Sequence, residues 1–202
     1  MDRPARSGDP AELLVADFAR LAAGDPRFAR AARSAGHFPI RLRPAGFPTL
    51  LKTILAQQVS TAAAGAMWAR LAAAIDPVTP RAFLALDDES LRACGFSRQK
   101  AGYGRGIAEA LEDGRLDLEA VAAMADDAAI EALCALKGIG RWSAECYLLF
   151  ALGRRDILPA KDLALQVGWQ WLAGLADRPS PDALLDAAEP WRPRRSAAAF
   201  LI

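Results

Sequence analysis

A few short groups of residues in this chain have the types and spacing to do chemistry. Leu136-Lys137-Gly138-Ile139-Gly140-Arg141-Trp142-Ser143-Ala144 sets two glycines one residue apart between helix-like runs at 128–135 and 142–152. Glycines there permit positive φ and let another molecule come close to the backbone. The second helix starts at once, so its unpaired N–H groups and positive dipole end face whatever the turn touches. That geometry binds anions, and a nucleic-acid phosphate is the obvious one; the plainer alternative is an αα-turn closed by a glycine cap. Leu158-Pro159-Ala160-Lys161-Asp162 puts a carboxylate at the start of the next helix behind a proline loop, where it can cap the helix, react, or do both. Gln57 and Gln58, in Ile54-Leu55-Ala56-Gln57-Gln58-Val59-Ser60, fall at a joint between two helical stripes. Side chains project from such a corner; the alternative is that the two amides only cap neighbouring backbone.

Taken together, the hairpin, the helix after it and Leu158-Pro159-Ala160-Lys161-Asp162-Leu163-Ala164-Leu165 resemble the signature of the HhH-GPD superfamily of DNA base-excision glycosylases. That signature is a helix-hairpin-helix, a Gly/Pro-rich loop and an Asp. Within the superfamily the chain is most similar to the 3-methyladenine DNA glycosylase II (AlkA-type) branch, from about Phe47 to the C-terminus. The resemblance implies that Asp162 is catalytic. Breaking an N-glycosidic bond builds oxocarbenium character on the sugar, which a carboxylate beside C1′ stabilises while orienting a water. Trp142 stands where bifunctional members carry a Schiff-base lysine, so the implied enzyme is monofunctional. Lys161 departs from the acidic residue often found beside the aspartate, and is the one nearby amine able to change that. Trp142 and Trp191 match aromatic pocket positions, whereas Cys146 and Leu163 replace tyrosine-type ones and leave the base pocket roomier. Alkylated purines of the 3-methyladenine and 7-methylguanine type are cationic, stack on indoles and leave readily.

The same resemblance makes Gln58 the wedge that fills the gap left by an extruded nucleotide, with Gln57 supporting it. It assigns Lys137, Arg141 and the backbone of Gly138, Gly140 and Trp142 to DNA phosphate. Arg195 joins them, with Arg154, Arg155, Arg192 and Arg194 as further contributors; for each arginine a solvated surface role is the alternative. The carbonyls of Gly138 and Gly140 are the expected ligands of a structural Na+ or K+, and no other cofactor is implied. Cys94, Cys134 and Cys146 lack the clustered four-cysteine pattern of the iron–sulfur relatives.

Composition narrows the field without deciding it. The 202 residues are 53% hydrophobic, enough for one or two cores, and rich in alanine with few β-branched residues, which favours packed helices. Net charge is +1, from 25 Lys+Arg against 24 Asp+Glu, so any affinity for a polyanion must come from a local patch. Three scattered cysteines form neither a zinc site nor a disulfide framework and point to a reducing compartment. There is no signal peptide and no long apolar run, so the expectation is a soluble cytoplasmic protein, nucleoid-associated while acting.

Stepping along the chain, residues 1–8 read as a flexible tail. Asp9-Pro10 starts a helix that stops at Gly24, and Asp25-Pro26 starts another ending near Gly36. Residues 37–48 read as a connector in which His37 is an ordinary loop residue. A helix from Pro48 carries the Leu51, Ile54, Leu55 stripe, and Ser60 or Thr61 caps the next. Thr79-Pro80 and Asp87 open short helices, and Ser97 begins a long one through Glu112. Gly95-Phe96-Ser97 with Lys100 and Ala101 also resembles the AlkA-type branch, which implies a mainly structural role for Lys100, a place near a phosphate being the alternative. Trp169 and Trp171 follow Asp162 on a helix and read as core, and Ser180-Pro181 starts another ending at Pro190. The expected fold is all-α, with about a dozen helices. By resemblance it forms two helical subdomains, residues 45–153 and residues 9–44 plus 154–202, with the active cleft between them and no N-terminal β domain. The expected partner is double-stranded DNA with alkylated bases, bound by a monomer without membrane association. Two rival readings are a bifunctional glycosylase/AP lyase for oxidised bases, which Trp142 disfavours, and a non-catalytic helix-hairpin-helix module, which leaves Asp162, the Gln57-Gln58 corner and the matched Trp142 and Trp191 without purpose.

Overall fold

The computed structural model describes residues 9–36, 40 and 42–202; the tail at 1–8 and His37 lie outside them. Among the described residues every regular element is helical: α1 (Pro10–Gly24), α2 (Pro26–Ala35), α3 (Phe47–Ala56), α4 (Thr61–Ala74), α5 (Pro80–Leu84), α6 (Asp88–Ala93), α7 (Arg98–Glu112), α8 (Leu118–Ala123), α9 (Asp126–Cys134), α10 (Arg141–Phe150), α11 (Leu163–Ala173), α12 (Pro181–Ala187) and α13 (Arg195–Leu201), with a 3₁₀ turn at Glu189–Trp191.

Short polar side chains begin these helices. Asp9 accepts from the Ala11 N–H, Ser60 from Ala63, Thr79 from Ala82, Asp87 from Ser90, Ser97 from Lys100 and Ser180 from Ala183, at 2.8–3.2 Å. Each such cap stabilises its helix by about 1 kcal/mol. Asp117 caps α8, a helix the sequence pattern did not reveal. Asp25 ends α1 and caps α2, and the Arg27 guanidinium bonded to it holds its carboxyl below the usual range.

The helices fall into two compact units, Arg43–Tyr147 and Met1–Leu42 with Leu148–Ile202. The division after Tyr147 falls inside α10, which runs across it. The Arg43–Tyr147 unit buries Leu50, Leu51, Ile54, Leu71, Leu91, Ile107 and Leu133 around a Phe47–Phe83–Phe96 series with ring centroids 5.7 and 5.6 Å apart. There α7 passes so near α3 and α5 that a Cβ on Gly104 would lie 2.7 Å from the Phe83 ring and 3.1 Å from Leu51.

The other unit is built on Phe28, Trp169 and Trp191, with Leu21, Leu158, Leu184 and Ala197 around them. Trp169 and Trp191 meet edge-on at 4.8 Å, Phe28 meets Trp191 at 5.1 Å, and the Arg27 guanidinium lies 4.7 Å over Trp169. Trp169 is core, as expected. Trp171 is not: it is 80% exposed. Two residues along a helix is a rotation of about 200°, so the same α11 cannot bury both indoles on one side. No described helix is long and apolar enough to cross a membrane.

Candidate functional site

The corner after α3 is held in an unusual backbone conformation. Gln57 closes the helix with extended dihedrals, and Gln58 follows at φ +56°, the one non-glycine residue at positive φ among those described. Such a conformation costs about 1–2 kcal/mol for an L-residue and persists only where its surroundings over-determine it. Here they do. Gln57 Nε2 donates to the Gly138 carbonyl at 2.9 Å and to Ser143 Oγ at 3.0 Å. Lys100 Nζ donates to the carbonyls of Leu55 at 2.7 Å and Gln57 at 2.9 Å, while burial pushes its pKa down from the ordinary value. Gln57 is thus half-buried and tied down, and the Gln58 side chain is left exposed.

Its hydrogen-bond partner, the hairpin, turns at Gly138, where φ is +94°. The Ile139 N–H closes the turn on the Leu136 carbonyl at 3.1 Å, and Ile139 is buried beneath it. The two glycines have different duties. A Cβ on Gly138 would run into the Tyr103 ring, whereas one on Gly140 would meet nothing within 4 Å. Gly138 is therefore required by the protein's own packing, and Gly140 leaves open backbone at the start of α10. Lys137, Gly140 and Arg141 are exposed, with Arg141 Nε bonded to Glu145 at 2.8 Å. The corner, the hairpin and the start of α7 enclose a groove of about 660 Å³ lined by Gln57, Gln58, Lys100, Tyr103, Gly138 and Gly140. The Gly138 carbonyl already accepts from Gln57 and the Gly140 carbonyl from the Ala144 N–H. A hairpin cation would therefore draw on the second lone pair of each.

In the other unit Asp162 is the N-cap of α11, its Oδ1 accepting from the Ala164 N–H at 2.8 Å. The loop before it is folded tightly: the Ala160 N–H donates to the Leu158 carbonyl and the Asp162 N–H to the Pro159 carbonyl, both at 2.8 Å. The buried Gln166 amide reaches back to the Ala160 carbonyl at 2.8 Å and fixes the loop to the helix. Asp162 is half-buried, Lys161 is exposed and Leu163 is 57% exposed. The cap leaves a carboxylate on rigid backbone at the positive end of a helix.

The expected pocket residues divide. Trp142, half-buried in the first turn of α10, and Cys146, buried one turn later, share a helix face. Trp191, expected as a pocket wall, is 4% exposed and packs on Phe28 and Trp169 in a hydrophobic core. Arg195, read as a phosphate contact, is likewise placed otherwise. Its Nε and Nη2 donate to Asp156 Oδ1 and Oδ2 at 2.8 and 3.0 Å, and Nη2 also to the Asp156 carbonyl at 2.8 Å, so it pins the start of α13. Arg192 shares Asp156 at 2.7 Å and also pairs with Glu189. Arg155 bonds the fully buried Asp17 at 2.7 and 2.8 Å, and Arg194 stands 3.5 Å from it. These arginines are spent on the protein's own carboxylates.

Sequence reasoning did not single out Tyr103, Ser143, Gln166, Asp17 or Asp156. Gln166 carried a signal, since four residues after Asp162 it must share that face of the helix. The others are joined by contacts far apart in sequence and had none.

These features match known proteins. A profile of HhH-GPD superfamily base excision DNA repair proteins fits residues 51–193. The chain is 34% identical over 160 residues to DNA-3-methyladenine glycosylase 1 of Schizosaccharomyces pombe, spanning 77% of this chain and 70% of that protein. The structure of an S. pombe 3-methyladenine DNA glycosylase in complex with abasic DNA superimposes with a TM-score of 0.84 at 30% identity, over 92% of this chain and 93% of that one. A Bacillus halodurans DNA-3-methyladenine glycosidase gives 0.77 at 32% identity, over 92% and 87%.

Proposed function

The chain belongs to the HhH-GPD superfamily of base excision DNA repair proteins, and from that premise we propose that it is a monofunctional DNA glycosylase acting on alkylated purines in double-stranded DNA. The observation that carries the reading is Asp162, a carboxylate fixed at the head of α11 by its own cap and by the Gln166-braced loop. A target base in a duplex must leave the stack before its sugar can be reached. Gln58, held proud of its corner, enters the space so vacated, and its amide can pair with the base left behind. Lys137 and the open backbone at Gly140 and the start of α10 hold phosphate.

At the sugar, the C1′–N bond breaks with its electron pair passing to the purine. On a 3-methyladenine or 7-methylguanine base that pair cancels the existing positive charge, so the leaving group needs little protonation. The positive charge left on C1′ and the ring oxygen faces the Asp162 carboxylate, which stabilises it and orients a water. The water oxygen bonds to C1′ and its proton is lost to the carboxylate or to solvent, giving free base and an abasic site. Trp142 supplies an electron-rich indole face for a cationic base and no amine for a Schiff base. The roomier position at Cys146 and the exposed Leu163 admit more than one alkylated purine. A hairpin cation, if bound, would steady the phosphate-binding turn and take no part in the bond changes. We place the reaction in the cytoplasm on chromosomal DNA, performed by a single copy of the chain.

The test is base release from methylated duplex DNA, with strand breakage scored before and after alkali. Free 3-methyladenine and 7-methylguanine with breakage only after alkali support the proposal. Breakage without alkali, together with a borohydride-trapped complex that Lys161→Ala removes, would make the enzyme bifunctional and the proposal wrong.

A further inference from the structure

We propose that Lys100 is a positioning residue for the Gln58 wedge, and that with Tyr103 it makes one face of α7 the bracket that sets the wedge and the hairpin at a fixed spacing. The inference rests on the wedge reading of Gln58 given above. Lys100 and Tyr103 are three residues apart on α7 and so share a face. From that face Lys100 reaches back to donate to Leu55 and Gln57, carbonyls that the end of α3 leaves without helical partners. A cation there also complements the negative end of the α3 dipole. Gln57 is then held from both sides, its carbonyl by Lys100 and its side chain by Gly138 and Ser143. Those two attachments keep the next peptide from relaxing out of positive φ, which is where Gln58 gets its outward direction.

Tyr103 does the corresponding work at the hairpin. Its ring occupies the space a Gly138 side chain would need, and its hydroxyl accepts from Gln99 Nε2 at 2.6 Å. Two successive turns of α7 therefore reference the wedge corner and the phosphate-binding turn to each other. A neutral, aliphatic residue at position 100 leaves the Leu55 and Gln57 carbonyls unpartnered and frees Gln58 to swing away from the duplex.

The experiment compares excision from duplex and single-stranded alkylated DNA by Lys100→Met, which keeps side-chain length, and Lys100→Arg, which restores charged donors. Misplacing the wedge should cost Lys100→Met on the order of tenfold or more in kcat/KM on duplex, with a several-fold smaller loss on single strands, where there is no gap to fill. Lys100→Arg should recover duplex activity to within about twofold. Asparagine tolerates positive φ better than glutamine, so in the Gln58→Asn background the further loss caused by Lys100→Met should shrink. If Lys100→Met does not fold, Lys100→Gln is measured in the same way. Equal losses on both substrates, or an undiminished loss in the Gln58→Asn background, would overturn the assignment. Gln58→Ala is run alongside: a duplex-selective loss there without one in Lys100→Met removes Lys100 alone, whereas no selectivity in Gln58→Ala removes the wedge reading and this inference with it.

Discussion

In the Arg43–Tyr147 unit Gln58, Lys137 and Gly140 are exposed, and a strained backbone holds one of them in place, while the exposed Arg141 is paired with Glu145. In the unit that carries Asp162, four arginines are instead paired with carboxylates. Arg155 and Arg194 converge on the buried Asp17, and Arg192 and Arg195 on Asp156. A basic run such as Arg192-Pro193-Arg194-Arg195 looks like a phosphate site when its charges are counted, yet each of its arginines is bound to a carboxylate. On the proposed reading, contact with DNA falls to groups the fold leaves uncommitted, at some conformational cost, rather than to the densest local charge.

The largest effect that can break this contrast is at Asp17. Asp17→Ala should destabilise the protein by about 3 kcal/mol, because it strips the shared partner from Arg20, Arg155 and Arg194. For a chain of this size that lowers Tm by about 6–12 °C, with no change in the salt dependence of DNA binding. A changed salt slope at full stability would mean that these arginines had been facing phosphate.

Next are the two glycines. Gly138→Ala combines a disfavoured φ with a collision on Tyr103, and should cost about 2–4 kcal/mol. Gly140→Ala should stay within about 0.5 kcal/mol of wild type in urea unfolding, yet weaken DNA binding, since its open backbone is the part a phosphate approaches. Equal destabilisation by both would erase the division of duties drawn here.

A smaller contrast separates the basic residues. Lys137→Ala should reduce the slope of log affinity against log salt by about 1, whereas Arg195→Ala should leave the slope alone and lower Tm. The smallest effect is a pH dependence at Asp25. Because Arg27 depresses its carboxyl pKa in the folded state, its contribution is fully present above the ordinary carboxylate value and is lost as pH falls through the depressed one. The stability gap between wild type and Arg27→Ala should therefore narrow on acidification, down to what the Arg27–Trp169 contact contributes, as urea midpoints at successive pH values would show.

Much of this architecture is legible in the sequence because it is local. Asp9, Ser60, Thr79, Asp87, Ser97 and Ser180 announce their helices within three residues, and the hairpin glycines and Asp162 stand in one continuous stretch. What was not legible is held by distant partners. The ties from Lys100 to Leu55, from Gln57 to Gly138 and from Arg155 to Asp17 join residues 45, 81 and 138 positions apart. The exposure of Trp171 was missed for another reason: an indole suits a core and a surface site equally, so its type alone cannot say where it lies. For Trp171 helical geometry should have decided, since Trp169 was already inward.

The central claim is that the Asp162 carboxylate performs the bond cleavage. Asp162→Asn keeps the side-chain volume and an oxygen for the Ala164 N–H while removing the charge. Single-turnover excision of 7-methylguanine from a duplex should fall by a factor on the order of a thousand, while affinity for the same duplex and Tm stay near wild type. An Asn variant that releases base at close to the wild-type rate would contradict the account.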